Sequence, residues 1–235
     1  MIAQEARLFQ PQRDHRSAIT FFTVIGLLLW STAGATAQSV AGTASAVQGT
    51  VAGIATVLAG TGPLASADDA RAASELAAAI PLLGGAEVLH AATISSIYGW
   101  DSLDEVISEA SLGNLVLTVA GNRISADFAM ARAVAPVGGV STGSSTLEGL
   151  VVNGIPIVPS GAPSETFYLP GITLTLNEMQ TSATGTAVNA LHVVSWDGLV
   201  NVVIASATAA VHSALTTPPS TLSTTTSKTG LPSLF

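Results

Sequence analysis

Cysteine is missing altogether from this sequence. That excludes disulfide staples, thiolate catalysis and cysteine-ligated metal or iron–sulfur sites. Cations are nearly as scarce, seven Lys and Arg against fifteen Asp and Glu, and past residue 37 only Arg71, Arg123, Arg132 and Lys228 remain. Four scattered cations cannot neutralise a run of phosphates, which excludes nucleic-acid binding. Aromatic residues make up 5 % of the chain. Ala, Gly, Ser and Thr are abundant instead, so the core is expected to be thin, with closely approaching strands and β-branched residues doing most of the filling. The longest early apolar run, Ile19–Trp30, has twelve residues, short of the about 20 that cross a bilayer.

What is present begins with a leader. Arg7, Arg13 and Arg16 precede the apolar run, and Ala35-Thr36-Ala37 supplies a small-residue exit. This reads as a secretory signal peptide over 1–37, cleaved between Ala37 and Gln38, with an uncleaved anchor as the alternative. The expected location is extracellular or on a bacterial cell surface, and no membrane span is expected in the mature chain. A folded domain over 38–212 follows, then a Ser/Thr/Pro-rich tail over 213–235. Such a tail cannot bury a core and reads as extended. Its apolar end, Leu231 to Phe235, leaves open a second reading, a segment that docks on the sheet edge of a neighbouring molecule.

The folded part alternates apolar and polar residues in long segments, the mark of half-buried strands. Ile172–Met179 and Ala187–Val194 form the central hairpin, with Gln180–Thr186 as its loop. Leu174 and Leu176 face inward from one arm, and Val188 and Ala190, or Leu191 and Val193, from the other. Further strands are read at Val40–Leu58, with Gly49 and Gly53 as bends or turn points, and at Ala86–Tyr98, Leu115–Val119, Ile124–Ala133, Leu150–Val152, Ile155–Val158 and Leu199–Val211. Gly121-Asn122, Asn153-Gly154 and Asp197-Gly198 are read as turns, and Pro156 assigns its strand to an edge. Ala135–Ser145 reads as a Gly/Ser loop and Trp100–Glu105 as an acidic one. Ser66–Ile80 is ambiguous, because Ser66, Asp68, Asp69 and the alanines favour a helix. Leu82–Ala92 loosely echoes Leu117–Asp127, too irregularly for a solenoid. Hairpins in series predict an all-β, antiparallel β-sandwich.

Four pieces in order, Leu147-Glu-Gly-Leu-Val-Val-Asn-Gly154, Tyr168-Leu-Pro-Gly-Ile-Thr-Leu-Thr-Leu-Asn-Glu178, Ala187-Val-Asn-Ala-Leu-His-Val193 and Val202-Val-Ile-Ala-Ser-Ala207, carry a likeness. Over most of Ser45–Val211 the chain resembles the bacterial choice-of-anchor P domain. The resemblance implies a secreted or surface-displayed all-β domain of unknown activity, whose members carry different C-terminal anchors. It also favours a strand at Ser74–Ile80. Met179 stands where the family typically has Gln, and Thr208 where it commonly has His, which argues against a polar site at those two positions.

Chemistry-bearing residues are few. Asn177, Glu178, Asn189 and His192 gather in the central hairpin, either as a polar site or as structural ties between strands. Asp101, Asp104, Glu105 and Glu109 offer oxygen ligands of the kind Ca²⁺ takes, but lack the glycine-punctuated repeat of a dedicated loop, so a solvated acidic loop competes. His90, His192 and His212 would make a metal site only if folding united them. Tyr98, Trp100, Tyr168 and Trp196 read either as a glycan-stacking platform or as core anchors. No Gly-x-Ser-x-Gly and no phosphate loop occurs. The expectation is a non-enzymatic structural, adhesive or matrix domain without cofactor. A carbohydrate- or calcium-binding module is the alternative and a secreted hydrolase the third reading. A cell-wall, glycan or self-association partner is left open.

Overall fold

A computed structural model describes residues 39–97 and 104–212. The expected signal peptide with its expected cleavage site Ala37/Gln38, together with Tyr98, Trp100, Asp101 and the tail, lies outside the described residues. All regular structure among the described residues is strand, thirteen strands in two antiparallel sheets packed face to face. The first sheet is ordered β10-β11-β12-β13-β1-β2. Its members are Glu165–Leu169, Ile172–Thr181, Gly185–Ser195, Val200–His212, Ser39–Val51 and Ile54–Gly60. The second is ordered β3-β4-β5-β6-β8-β9, namely Asp68–Ile80, Gly84–Ser96, Glu105–Val119, Asn122–Pro136, Val151–Val152 and Ile155–Pro156, with β7 (Thr142–Glu148) also on β6.

The expected hairpins are present, with corrections in detail. Asn153 and Gly154 both have positive φ (52° and 80°), as a type I′ turn requires, and Pro156 sits in edge strand β9. The turn expected at Gly121-Asn122 is one residue earlier. Ala120 and Gly121 carry the positive φ, while Asn122 pairs with Val119. Gly53 turns the chain with Ala52, one of the two roles read for it, whereas Gly49 lies inside β1. The central hairpin loop is shorter than read, because pairing continues to Thr181 and Thr186. The Gly/Ser stretch Ala135–Ser145 is loop only over 137–141, since β6 runs to Pro136 and β7 starts at Thr142. Hydrogen bonding to β6 overrides its weak propensity. The same applies to β3, where a helix-favouring sequence is a 13-residue strand paired to β4 throughout. The two echoing segments are hairpin turns of the same sheet, running into β4 and β6.

Strict alternation fails once in each long strand. Along β13 the buried apolar positions are Val200, Val202 and Ile204, then Ala205, Ala207, Ala209 and Val211. On β6 they are Ile124 and Ala126, then Ala129, Ala131, Ala133 and Ala135; on β5 they change phase between Leu112 and Leu115. The changes line up across each sheet as a crease. In the first sheet it passes through Ala59, Ala46, Ala205, Ala190, Asn177 and Ser164. Of these, Ala59, Ala205, Asn177 and Ser164 have φ between 44° and 55°. In the second it passes Leu76, Val88, Asn114, Asp127 and Gly149, with φ of 51° at Val88 and 48° at Asn114. Gly149 splits what would be one strand into β7 and β8, which keep the same register on β6.

A left-handed residue rolls the strand so that the next side chain faces the same way as the last. In the first sheet, paired strands roll together and register survives: Leu176 faces Leu191 and, beyond the crease, Glu178 faces Asn189. Two consecutive residues then point inward, as Ile204 and Ala205 or Ala190 and Leu191 do, all fully buried. A methyl is what the shared space accepts, and this accounts for the alanines there.

The core tapers across the crease. At one end Ile172, Leu174, Leu176, Leu191, Val193, Val202 and Ile204 meet Leu115, Leu117 and Ile124. At the other, Ala44, Ala207, Ala131 and Ala133 fill the space. There the sheets approach so closely that a Cβ on Gly42 would lie 2.7 Å from Thr93 Oγ1. The buried hydroxyls at that end pair with each other, Thr93 with Ser108 at 2.6 Å.

Val88 tests the crease. It is 63 % exposed, β-branched and at φ 51°, so it contributes strain and little packing. Val88→Asn should raise stability by about 1 kcal/mol in urea unfolding, since asparagine tolerates this conformation. A loss of stability would show that no strain is stored there.

Candidate functional site

Three of the four hairpin candidates come together on the outer face of the first sheet. Glu178 on β11 accepts from Asn189 Nδ2 at 2.7 Å and faces His192 Nδ1 at 3.1 Å, both through Oε2. His192 Nε2 lies 2.9 Å from Asn201 Oδ1 on β13. The crease makes this possible. His192 belongs to the transverse row Thr166–Thr175–His192–Val203–Gln48, and Glu178 to the row Glu178–Asn189–Ser206–Ser45 beyond it. With uninterrupted alternation Glu178 would point into the core. The Glu178 and His192 side chains are about a quarter and a fifth exposed, half-shielded by strand neighbours.

Asn177 takes no part in the cluster. Its Oδ1 accepts from Ser145 Oγ at 2.9 Å, and its Nδ2 donates to the carbonyls of Gly161 and Ala162 at 3.3 Å each. It fastens the loop ahead of β10 to β7 and β11, the structural role weighed for it from sequence. A cavity of about 300 Å³ opens beside it, lined by Ser145, Leu147, Pro163, Leu176 and Met179 among others.

The row next to His192 carries aromatics. It runs Tyr168–Thr173–Val194–Asn201–Thr50. Tyr168 is 77 % exposed and Trp196 65 %, so neither anchors the core, contrary to one of the two readings above. The Trp196 indole lies back over the sheet and donates from Nε1 to Thr173 Oγ1 at 3.2 Å. Its turn is braced by Asp197, which accepts from Ser195 Oγ and from the Leu199 N–H. These two bonds, the Ser195 hydroxyl foremost, hold the Asp197 carboxyl below its ordinary value of 3.8. The brace is therefore complete above that value and fades as pH falls through the lower folded one. Asn201 joins the aromatic row to His192. It was missed from sequence because nothing in Leu199–Val211 marks which polar residue lies beside the hairpin histidine.

Of the carboxylates considered for Ca²⁺, Asp101 lies outside the described residues, and Asp104, Glu105 and Glu109 do not converge. Asp104 is buried ahead of β5, and Glu105 and Glu109 lie on the strand, not in a solvated loop. Four residues of strand separate those two by about 13 Å, and Glu109 pairs with Arg132 at 3.3 Å. Of the expected acidic loop Trp100–Glu105 only the end is described: Asp104 precedes the strand, and Glu105 opens β5, which extends ten residues further towards the N-terminus than its apolar segment Leu115–Val119. The histidines stay apart as well. His90 is on β4 of the opposite sheet, and His212 ends β13 nine residues beyond Val203, the partner of His192, about 30 Å along the strand.

Comparison with protein-family models, with curated proteins and with solved structures finds no match for this chain.

Glu178 serves two donors at once, so its removal should lower stability by about 1 kcal/mol. His192→Ala in the Glu178→Ala background should then cost clearly less than in the parent, read as a coupling term in a double-mutant cycle. Additive losses would mean that the two side chains act separately.

Proposed function

We propose that this chain is a secreted or surface-displayed β-domain with a structural or adhesive role, working by contact and not by turnover. The observation that carries the reading is the closure of the polar cluster. Glu178 and His192 bond each other and, through one amide atom apiece, Asn189 and Asn201, across three strands on a sheet face and away from the cavity beside Asn177. A catalytic imidazole and carboxylate need a reacting atom within hydrogen-bond reach and a place for it to sit. This pair instead cross-links β11, β12 and β13 on the surface. The leader over 1–37 and the resemblance to the choice-of-anchor P domain support an extracellular setting for such a module.

Fractionation of producing cells into cytoplasm, membrane, wall and medium tests the setting, and a panel of chromogenic ester, glycoside and peptide substrates tests the chemistry. The chain is expected in the wall or medium pool, with no turnover. Confinement to the cytoplasm, or turnover abolished by His192→Gln or Glu178→Gln, would overturn the proposal.

A further inference from the structure

From the outer face of the first sheet we infer a binding platform for a neutral, extended polysaccharide, with Tyr168 and Trp196 as its stacking groups. The inference rests on the contact role proposed above and names the partner. Two large rings standing 77 % and 65 % exposed are costly to leave in water on a chain with so few aromatics. Both belong to one face, Tyr168 directly opposite Thr173 in register and the Trp196 indole bonded to the same threonine. A pyranose ring has an apolar C–H face and a rim of hydroxyls. The aromatic rings match the first; the Thr173 hydroxyl and the exposed Asn201 amide, in the same transverse row, lie where they would meet the second.

Charge decides which polysaccharide. None of the strands β1, β2 or β10–β13 contains a Lys or Arg, and neither do residues 157–164 or 196–199. The described cations, Arg71, Arg123 and Arg132, all belong to the other sheet. The charged groups around the platform are Glu165, Glu178 and Asp197, with His192 between strands. A uronic-acid or sulfated chain would meet only repulsion there. The face spans the strands of a six-stranded sheet, which suits a straight chain lying across them and not a single sugar held in a pocket. Strands spaced by about 4.8 Å bring successive sugar rings over successive strands. The polar cluster beside the platform keeps β11, β12 and β13 in fixed relation, so the rings are presented on a stiff surface and less is lost on binding.

The test uses the full chain and its Trp196→Ala and Tyr168→Ala variants on insoluble neutral glycans (amorphous cellulose, chitin and mannan), with alginate as the acidic probe. Both side chains are exposed, so the variants should keep the parent melting temperature, which is measured alongside. Retention is expected on at least one neutral glycan, unchanged in high salt, with affinity about tenfold weaker in each variant. Retention on none of the three, retention equal in parent and variants, or preference for alginate would overturn the inference. So would self-association of the parent that both variants abolish, since a second copy would then be the occupant. Each of these outcomes leaves cell fractionation and the substrate panel to judge the contact role separately.

Discussion

A strand of 15 residues that alternated strictly would commit every second side chain to the core for about 50 Å. Two such sheets would have to stay in step along their whole length. In this molecule they do not, because a line of left-handed residues crosses each sheet and exchanges its faces. Each non-glycine residue held there costs on the order of 1 kcal/mol, and the lines hold Ala59, Ala205, Asn177, Ser164, Val88 and Asn114. Cross-strand pairing on both sides over-determines the conformation. Asn177 in addition bonds the loop carbonyls of Gly161 and Ala162, so one strained residue also closes the side of the sandwich.

Two properties of the molecule depend on that line. The first is the taper, with branched aliphatics filling one end and alanine, glycine and paired hydroxyls the other. An Ala-rich half can pack only if the sheets come closer, and the exchange of faces lets each half present its own set of side chains. The second is the polar cluster. Glu178 lies in the outward phase only because Asn177 rolled the strand, and His192 can reach it across the crease. A catalytic-looking trio of carboxylate, imidazole and amide thus arises from the geometry of the sheet.

Much of this was legible beforehand. Period-two patterning marked the central hairpin and the last strand, Asn153-Gly154 marked its turn, and the scarcity of aromatics implied the thin core. The ambiguity between Val188/Ala190 and Leu191/Val193 as inward pairs was itself a trace of the crease: all four are buried, because both phases are inward, one on each side. What could not be read was that alanine and asparagine would adopt a conformation that sequence patterns reserve for glycine. The turn at Ala120-Gly121 was misplaced by one residue for the same reason. Strand β10 has no counterpart in the sequence pattern because five residues beside a proline-containing loop carry too short an alternation, and the first ten residues of β5 have none because Ser108, Glu109 and Gly113 dilute theirs. Of the site, Glu178, Asn189 and His192 were foreseen as a group; Asn177 leaves it because it serves the crease, and Asn201 enters it through register alone.

The exchange of faces is the claim on which the rest stands, and solution NMR reads it residue by residue. A residue in the left-handed region brings its own amide and Hα protons close together, whereas an extended residue keeps them apart and places Hα near the following amide. The account predicts strong intraresidue amide–Hα Overhauser effects at Ala59, Val88, Asn114, Asn177 and Ala205, each flanked on both sides by extended neighbours with cross-strand contacts in the stated register. A uniformly extended pattern through those five positions would contradict it, and with it the placement of Glu178 beside His192.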